Sequence, residues 1–228
     1  MPIILAIDTS TQACSCALNR DGIIIERFEI IPRQHADRLL SMIDDLMNDQ
    51  ALDYSDLDAV AYGQGPGSFT GLRIAAGVTQ GIAFGANIPV VPISSLASMA
   101  LQVGKSEIDI VFSTLDARIN EVYWGIYSVE GKRVSLIGNE GLCKPEDLPP
   151  CVQGNPVSLI GVGSGLEFLN RMPEFYRGIL SDKMPSIYPR AGTMAELAAE
   201  YFLEGLVKQP EEVSPVYLRD NVAKVSVK

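Results

Sequence analysis

Tyr62-Gly63-Gln64-Gly65-Pro66-Gly67-Ser68-Phe69-Thr70-Gly71-Leu72-Arg73 is the turning point of the chain: an apolar run, Ala59 to Tyr62, enters it and a small-residue run leaves it toward Ala86. The pattern predicts strand, glycine turn, helix. Gly63, Gly65 and Gly67 open backbone angles closed to other residues, Pro66 stiffens the turn, and Ser68 or Thr70 is placed to cap the helix. Amides gathered at such a helix start suit an anion or a closely approaching chain. No Lys-Ser/Thr pair follows the last glycine, so this is no nucleoside-triphosphate loop, and the spacing is not that of a dinucleotide fingerprint. On its own the stretch reads as a tight structural turn.

Upstream, Ile3 to Asp8, Cys14 to Asn19 and Ile23 to Ile30 read as three strands. Asp21-Gly22 between the second and third is a hairpin signal. The first strand ends in Asp8-Thr9-Ser10-Thr11, one acid and three hydroxyls at a sheet edge. That is the shape of a phosphate or metal corner, and equally of a turn that caps its own backbone. From Gln34 the period becomes helical, with Leu39, Leu40, Ile43, Leu46 and Met47 on one stripe. His35, the single histidine, reads as a capping or surface residue. Leu57 to Tyr62 is then a buried strand.

Downstream, the helix runs from about Thr70 to Ala86 and carries Gly77, Gly81 and Gly85 on one face. Each costs roughly 1 kcal/mol against alanine, so a neighbouring backbone should come close. That neighbour is either this protein's own sheet or another subunit. Pro89 to Ser94 is a strand and Ser95 to Val103 a helix. The pattern restarts near Ile108, with strands Ile108 to Asp116, Glu121 to Ser128, Arg133 to Ile137 and Ser158 to Gly163. Helices follow over Gly165 to Met172 and Thr193 to Leu206, with a proline-rich loop over Lys144 to Pro156 and an extended Pro215-Val216-Tyr217-Leu218-Arg219 before a mobile tail. The prediction is an α/β protein of two lobes, 1–103 and 104–228, each a version of βββαβαβα. The terminal segment is free to pack back on the first lobe.

Composition narrows the function. The 228 residues are 47% hydrophobic and 20% charged, and no apolar run approaches the ~20 residues of a membrane span. Met1-Pro2 leads straight into a strand without a basic leader, so a cytoplasmic location is expected. Cys14 and Cys16 sit too close on one strand to bridge comfortably, and Cys143 and Cys151 lack the partners of a zinc site, so the four cysteines are read as thiols. A net charge of −10, from 18 bases and 28 acids, leaves few cations for phosphates. If the function concerns nucleic acid, a partner must supply most of the contact.

Three runs stand together in order: Ile7-Asp8-Thr9-Ser10-Thr11 with Cys14-Ser15-Cys16-Ala17-Leu18, the glycine stretch quoted above, and Pro92-Ile93-Ser94-Ser95-Leu96. With the ending Pro215 to Arg219, they closely resemble the bacterial TsaB (YeaZ) family, part of the machinery that makes threonylcarbamoyladenosine in transfer RNA. The resemblance implies an actin-like and Hsp70-like (ASKHA) fold of two similar lobes. It implies a non-catalytic partner and scaffold of the related transferase TsaD, with TsaE joining as an ATPase and TsaC supplying threonylcarbamoyl-adenylate. TsaD holds a metal through two histidines; the matching positions here are Ser95 and Met99, neither a usual ligand, so no metal and no cofactor are expected.

Asp8, Ser10 and Thr11, with Gly161, Gly163 and Gly165, occupy places where related folds hold a nucleotide, and read as a degenerate cleft. The partner surface is placed on Leu39, Leu40, Ile43, Leu46, Met47, Gly77, Gly81 and Gly85; the resemblance implies half of a four-helix bundle completed by the equivalent helices of TsaD, and the same patch could pair with itself as a homodimer. The rival reading is a nucleotide-dependent phosphotransferase of the ASKHA class; a peptidase lacks a visible nucleophile and base.

Overall fold

The computed structural model describes residues 1–104, 109–150 and 158–219. Ile108, Cys151, part of the proline-rich loop and the tail beyond 219 lie outside the described residues. The first half is β1 (Ile4–Asp8), β2 (Ala13–Arg20), β3 (Ile23–Ile30), α1 (His35–Asp49), β4 (Ala59–Gly65), α2 (Phe69–Ala86), β5 (Val90–Ser94) and α3 (Ser95–Leu101), the order the sequence predicts. Its sheet runs β3-β2-β1-β4-β5, antiparallel through the first three strands and parallel from β1 to β5. β1 is apolar at every position before Asp8 because both faces of this central strand are covered. Asp21 and Gly22 turn the β2–β3 hairpin with φ of 53° and 84°, the left-handed pair that a two-residue connection demands. β4 runs on through Gly63 to Gly65, so the turn begins later than expected, after the cis Gly65–Pro66 peptide.

The second half holds β6 (Asp109–Arg118), β7 (Glu121–Glu130), β8 (Arg133–Leu136), β9 (Gly141–Cys143), β10 (Leu159–Val162), α4 (Glu174–Ile179), β11 (Leu180–Met184) and α5 (Ala191–Leu203). Its sheet order, β11-β10-β6-β7-β8, repeats the first when β6, β7, β8, β10 and β11 are matched to β1 to β5. The strand directions repeat as well. The repeat is incomplete. Where α1 stands in the first half, the described residues hold only β9 and a short 3₁₀ turn, Pro145–Asp147. Pro145, Pro149 and Pro150 in that stretch do not favour a continuous helix. The helix expected over Gly165 to Met172 is 3₁₀, Ser164–Arg171, and stops before Pro173, which holds Met172 extended. α5 begins two residues earlier than predicted and ends at Leu203, with Gly205 turning the chain at φ 75°.

The last helix of each half crosses to the other sheet. α3 packs on β6, β7 and β8, while α5 packs on β1, β2 and β4, and the two helices touch. Ile4, Ala6, Leu96, Met99, Val111, Leu115, Val162, Met194 and Leu197 consequently share one core between the sheets. The start of α5 is pinned to the first sheet. Ser15 Oγ accepts from the Ala191 amide at 2.9 Å, and Glu26 accepts from the Gly192 amide at 2.9 Å and from Arg190 Nη2 at 2.6 Å. Amides that a helix start leaves without partners are thus satisfied from the opposite half.

Candidate functional site

The glycine stretch is clamped against the end of β1. Ser68 donates its amide to the Ser10 carbonyl at 2.7 Å, and the Thr9 hydroxyl donates to the Gly71 carbonyl at 2.7 Å. A Cβ on Gly67 would lie 2.4 Å from the Ser10 carbonyl oxygen, and one on Gly71 would lie 1.9 Å from that of Thr9. The glycines therefore admit a second strand of backbone. Ser68 Oγ caps α2 by accepting from the Gly71 amide at 3.4 Å. With the Ser68 amide committed to Ser10, the anion reading of the turn loses a donor.

Asp8 does not face a cleft. It is completely buried, its Oδ1 accepting from the Ser10 amide at 3.2 Å and hydroxyl at 3.0 Å, while Oδ2 has no partner. Burial pushes its pKa up to about 7 against the smaller opposing effect of the Ser10 bonds, and the Glu26 charge raises it further. Gly161, Gly163 and Gly165 are likewise occupied from within. Cβ atoms there would meet Leu180 at 3.0 Å, the Thr114 carbonyl at 2.2 Å and Thr114 Oγ1 at 2.1 Å. Of the six residues assigned to a degenerate nucleotide cleft, only Ser10 and Thr11 line the inter-lobe cavity.

That cavity, about 940 Å³, lies between the clamp and the β6–β7 edge, with Ser10, Thr11 and Ser68 on one wall and Asp116, Arg118 and Ser164 on the other. His35 lines it too. Instead of capping α1 or facing solvent, it is buried with Nε2 3.2 Å from the Ala13 carbonyl oxygen, and no side chain caps the helix.

The positions matched to a metal pair are core positions. Ser95 and Met99 are both fully buried, Ser95 Oγ is unpartnered, and a Cβ on Gly163 would touch the Met99 methyl at 2.9 Å. Among the described residues no cluster of three metal-ligating side chains occurs, and no helix is long and apolar enough to cross a membrane. Cys14, Cys16 and Cys143 are free thiols.

The surface assigned to a partner needs a correction. Leu39, Ile43, Leu46 and Met47 are buried against the first sheet with Leu5, Ile7 and Cys16, because α1 spends its apolar stripe on its own core. Leu40 alone of that set points outward, at 52% exposure. Gly77, Gly81 and Gly85 are exposed, and a Cβ at each would meet nothing within 4 Å. Of the two neighbours offered by the sequence, the protein's own sheet does not supply the close backbone. Phe84, half exposed on α2 near these glycines, was missing from the sequence set. Four-residue spacing finds small residues but not a single exposed aromatic beside them.

Residues 210–219 pack back on the first lobe, the course left open to the terminal segment by the sequence. Gln80 Nε2 donates to the Pro210 carbonyl at 2.9 Å, the Val216 amide donates to the Gln64 carbonyl at 2.7 Å, and Tyr217 stacks on Phe69 with ring centres 5.3 Å apart. Arg219 then reaches the second lobe, donating to the Ala117 carbonyl at 3.2 Å and pairing with Glu121. Sequence marks this strap as extended, through Pro215, and as free to pack on the first lobe, but not its reach to the second.

A family model described as TsaD, tRNA N6-adenosine threonylcarbamoyltransferase, matches residues 24–227. The tRNA threonylcarbamoyladenosine biosynthesis protein TsaB of Escherichia coli (strain K12) is 38% identical over 222 residues, 96% of each chain. Its namesake in Haemophilus influenzae is 36% identical over 96% of this chain and 94% of its own. The solved structure of YeaZ from Pseudomonas aeruginosa matches with a TM-score of 0.89 at 38% identity, covering 96% of this chain and all of that one. The repeated five-strand order of the two sheets, the glycine clamp and this likeness along nearly the whole length place the chain in the TsaB (YeaZ) family of tRNA threonylcarbamoyladenosine biosynthesis proteins.

Proposed function

We propose that this chain is the non-catalytic subunit that TsaD requires to transfer threonylcarbamoyl to the adenosine next to the anticodon of tRNA, in a larger cytoplasmic assembly with TsaE. The observation that carries the partner role is the open stripe of Gly77, Gly81 and Gly85 on α2: three glycines that weaken a helix by about 1 kcal/mol each and admit no neighbour of this chain. With Phe84 exposed beside Gly85 on the same helix, the stripe offers a close-approach surface for a related helix. The match to the TsaD family model supports TsaD as its source, since a related lobe presents related helices. A second copy of this chain competes for the same face as an isologous homodimer when TsaD is absent. The burial of Ser95 and Met99 supports a subunit without a metal of its own. The net charge of −10 supports tRNA contact through the partners' basic residues.

Gly81→Leu tests the reading. Leucine enters open space, so the variant should melt as cooperatively as the parent, while its affinity for TsaD by titration calorimetry falls at least about a hundredfold. Threonylcarbamoyladenosine formation in a reconstituted mixture of TsaC, TsaD and TsaE should require the parent chain and fail with the variant. Unchanged binding would move the interface elsewhere; full activity without this chain would end the proposal.

A further inference from the structure

The stripe on α2 begins one step before its first glycine: Arg73, Gly77, Gly81 and Gly85 are spaced by four, so a chain seated on the glycines also meets Arg73. Arg73 is exposed, its guanidinium carbon 3.5 Å from the centre of the Phe69 ring and its Nε donating to the Tyr217 hydroxyl at 3.1 Å. Among the described residues no carboxylate forms an ion pair with it, in a chain of 28 acids and 18 bases. An arginine seated on the half-exposed Phe69 ring and tied by a hydrogen bond to the neighbouring Tyr217 has already lost much of its freedom. Arginine and tyrosine so placed are the residues that dominate interface energies.

Tyr217 belongs to the strap. On its near side the strap is fixed to β4 by the Val216 amide on the Gln64 carbonyl. On its far side Arg219, its side chain 21% exposed, holds the Ala117 carbonyl and the Glu121 carboxylate, and both Arg219 and Ala117 line the inter-lobe cavity. The α2 stripe and the second lobe are therefore joined by one short run of chain, with Arg73 at one end and Arg219 at the other.

Resting on the partner reading above, we propose that the partner surface continues from the glycine stripe onto Phe69, Arg73 and Tyr217. It takes a helix-bearing partner with a carboxylate opposite Arg73, and docking there acts on the inter-lobe cavity through the strap that ends in Arg219. The coupling is reciprocal: whatever docking does to the spacing of the lobes, fixing that spacing does to docking by the same factor.

Hydrogen–deuterium exchange of the full chain, alone and saturated with TsaD, tests this. TsaD should protect residues 69–85 and, in the same experiment, residues 214–219 and the β6–β7 connection at 117–121. Arg73→Ala should weaken TsaD binding about tenfold or more. Arg219→Ala, outside the α2 face, should keep the protection of 69–85 and lose that of 117–121. Protection of 69–85 with no change at 214–219 and 117–121 overturns the coupling and leaves the partner reading standing. Protection of 117–121 that survives Arg219→Ala means direct contact and also overturns it. Unaltered affinity in Arg73→Ala removes the anchor. If 69–85 are not protected and Gly81→Leu still binds, the partner reading falls and the coupling falls with it.

Discussion

Gly71→Ala is expected to lower folding stability by about 3 kcal/mol or more, with Gly67→Ala close behind. A methyl at position 71 would sit 1.9 Å from the Thr9 carbonyl oxygen and 3.0 Å from its carbon, and one at position 67 would sit 2.4 Å from the Ser10 carbonyl oxygen. Neither obstacle is the end of a flexible side chain. Both are backbone of the turn that leaves the buried β1, and that turn is tied to α2 by the Ser68 amide and the Thr9 hydroxyl. Relief requires α2 to lift off the sheet, loosening Leu72 and Ala75 from the core beneath. Gly77→Ala on the same helix supplies the contrast. Its methyl meets open space, so it should gain about 1 kcal/mol from helix propensity alone. Urea melts of the three variants against the parent would decide it. Similar losses at positions 71 and 77 would mean that the clamp is looser than its geometry requires.

The same pair of glycine sets defines what the sequence made legible. The succession of elements in the first half and the β2–β3 turn follow from alternation, apolar runs and Asp-Gly, since those patterns fix local backbone and burial directly. A stripe at helical spacing says that something covers it, and not what. Ile43 and Met47 on α1 cover the protein's own sheet, whereas Gly77 and Gly81 on the neighbouring helix stay open. The crossing of α3 and α5 to opposite sheets is long-range, resting on contacts such as Glu26 with Arg190 that no local pattern announces. Asp8 was misplaced for a related reason. An acid at a strand end with three hydroxyls after it looks the same whether the turn opens to a cleft or is sealed, and here Gly63, Gly67 and Gly71 let the chain seal it.

Sealing has a consequence for pH. Asp8 titrates near 7 in the folded protein, against about 3.8 as an ordinary aspartate, chiefly because burial disfavours its charged form. Between those values the folded state binds more protons than the unfolded one, so stability falls as pH rises through this window and levels off above about 7. Below about 4 the group is neutral in both states and costs nothing. The full difference is about 4 kcal/mol, at 1.36 kcal/mol for each unit. Asp8→Asn abolishes the titration. Its Oδ1 keeps the Ser10 donors, while its amide enters the place of the unpartnered Oδ2, at a cost of about 1–3 kcal/mol. The variant should therefore be less stable than the parent at pH 4 and equal or more stable at pH 8. The difference between the two should drift in its favour by several kcal/mol across the interval. Chemical denaturation at four pH values from 4 to 8 measures that drift, free of the other titrating groups that both proteins share. Parallel stability curves would mean that Asp8 ionises at its ordinary pKa, which a carboxylate sealed beneath Gly63 and Met194 with one oxygen unpartnered could do only if the end of β1 opened to water.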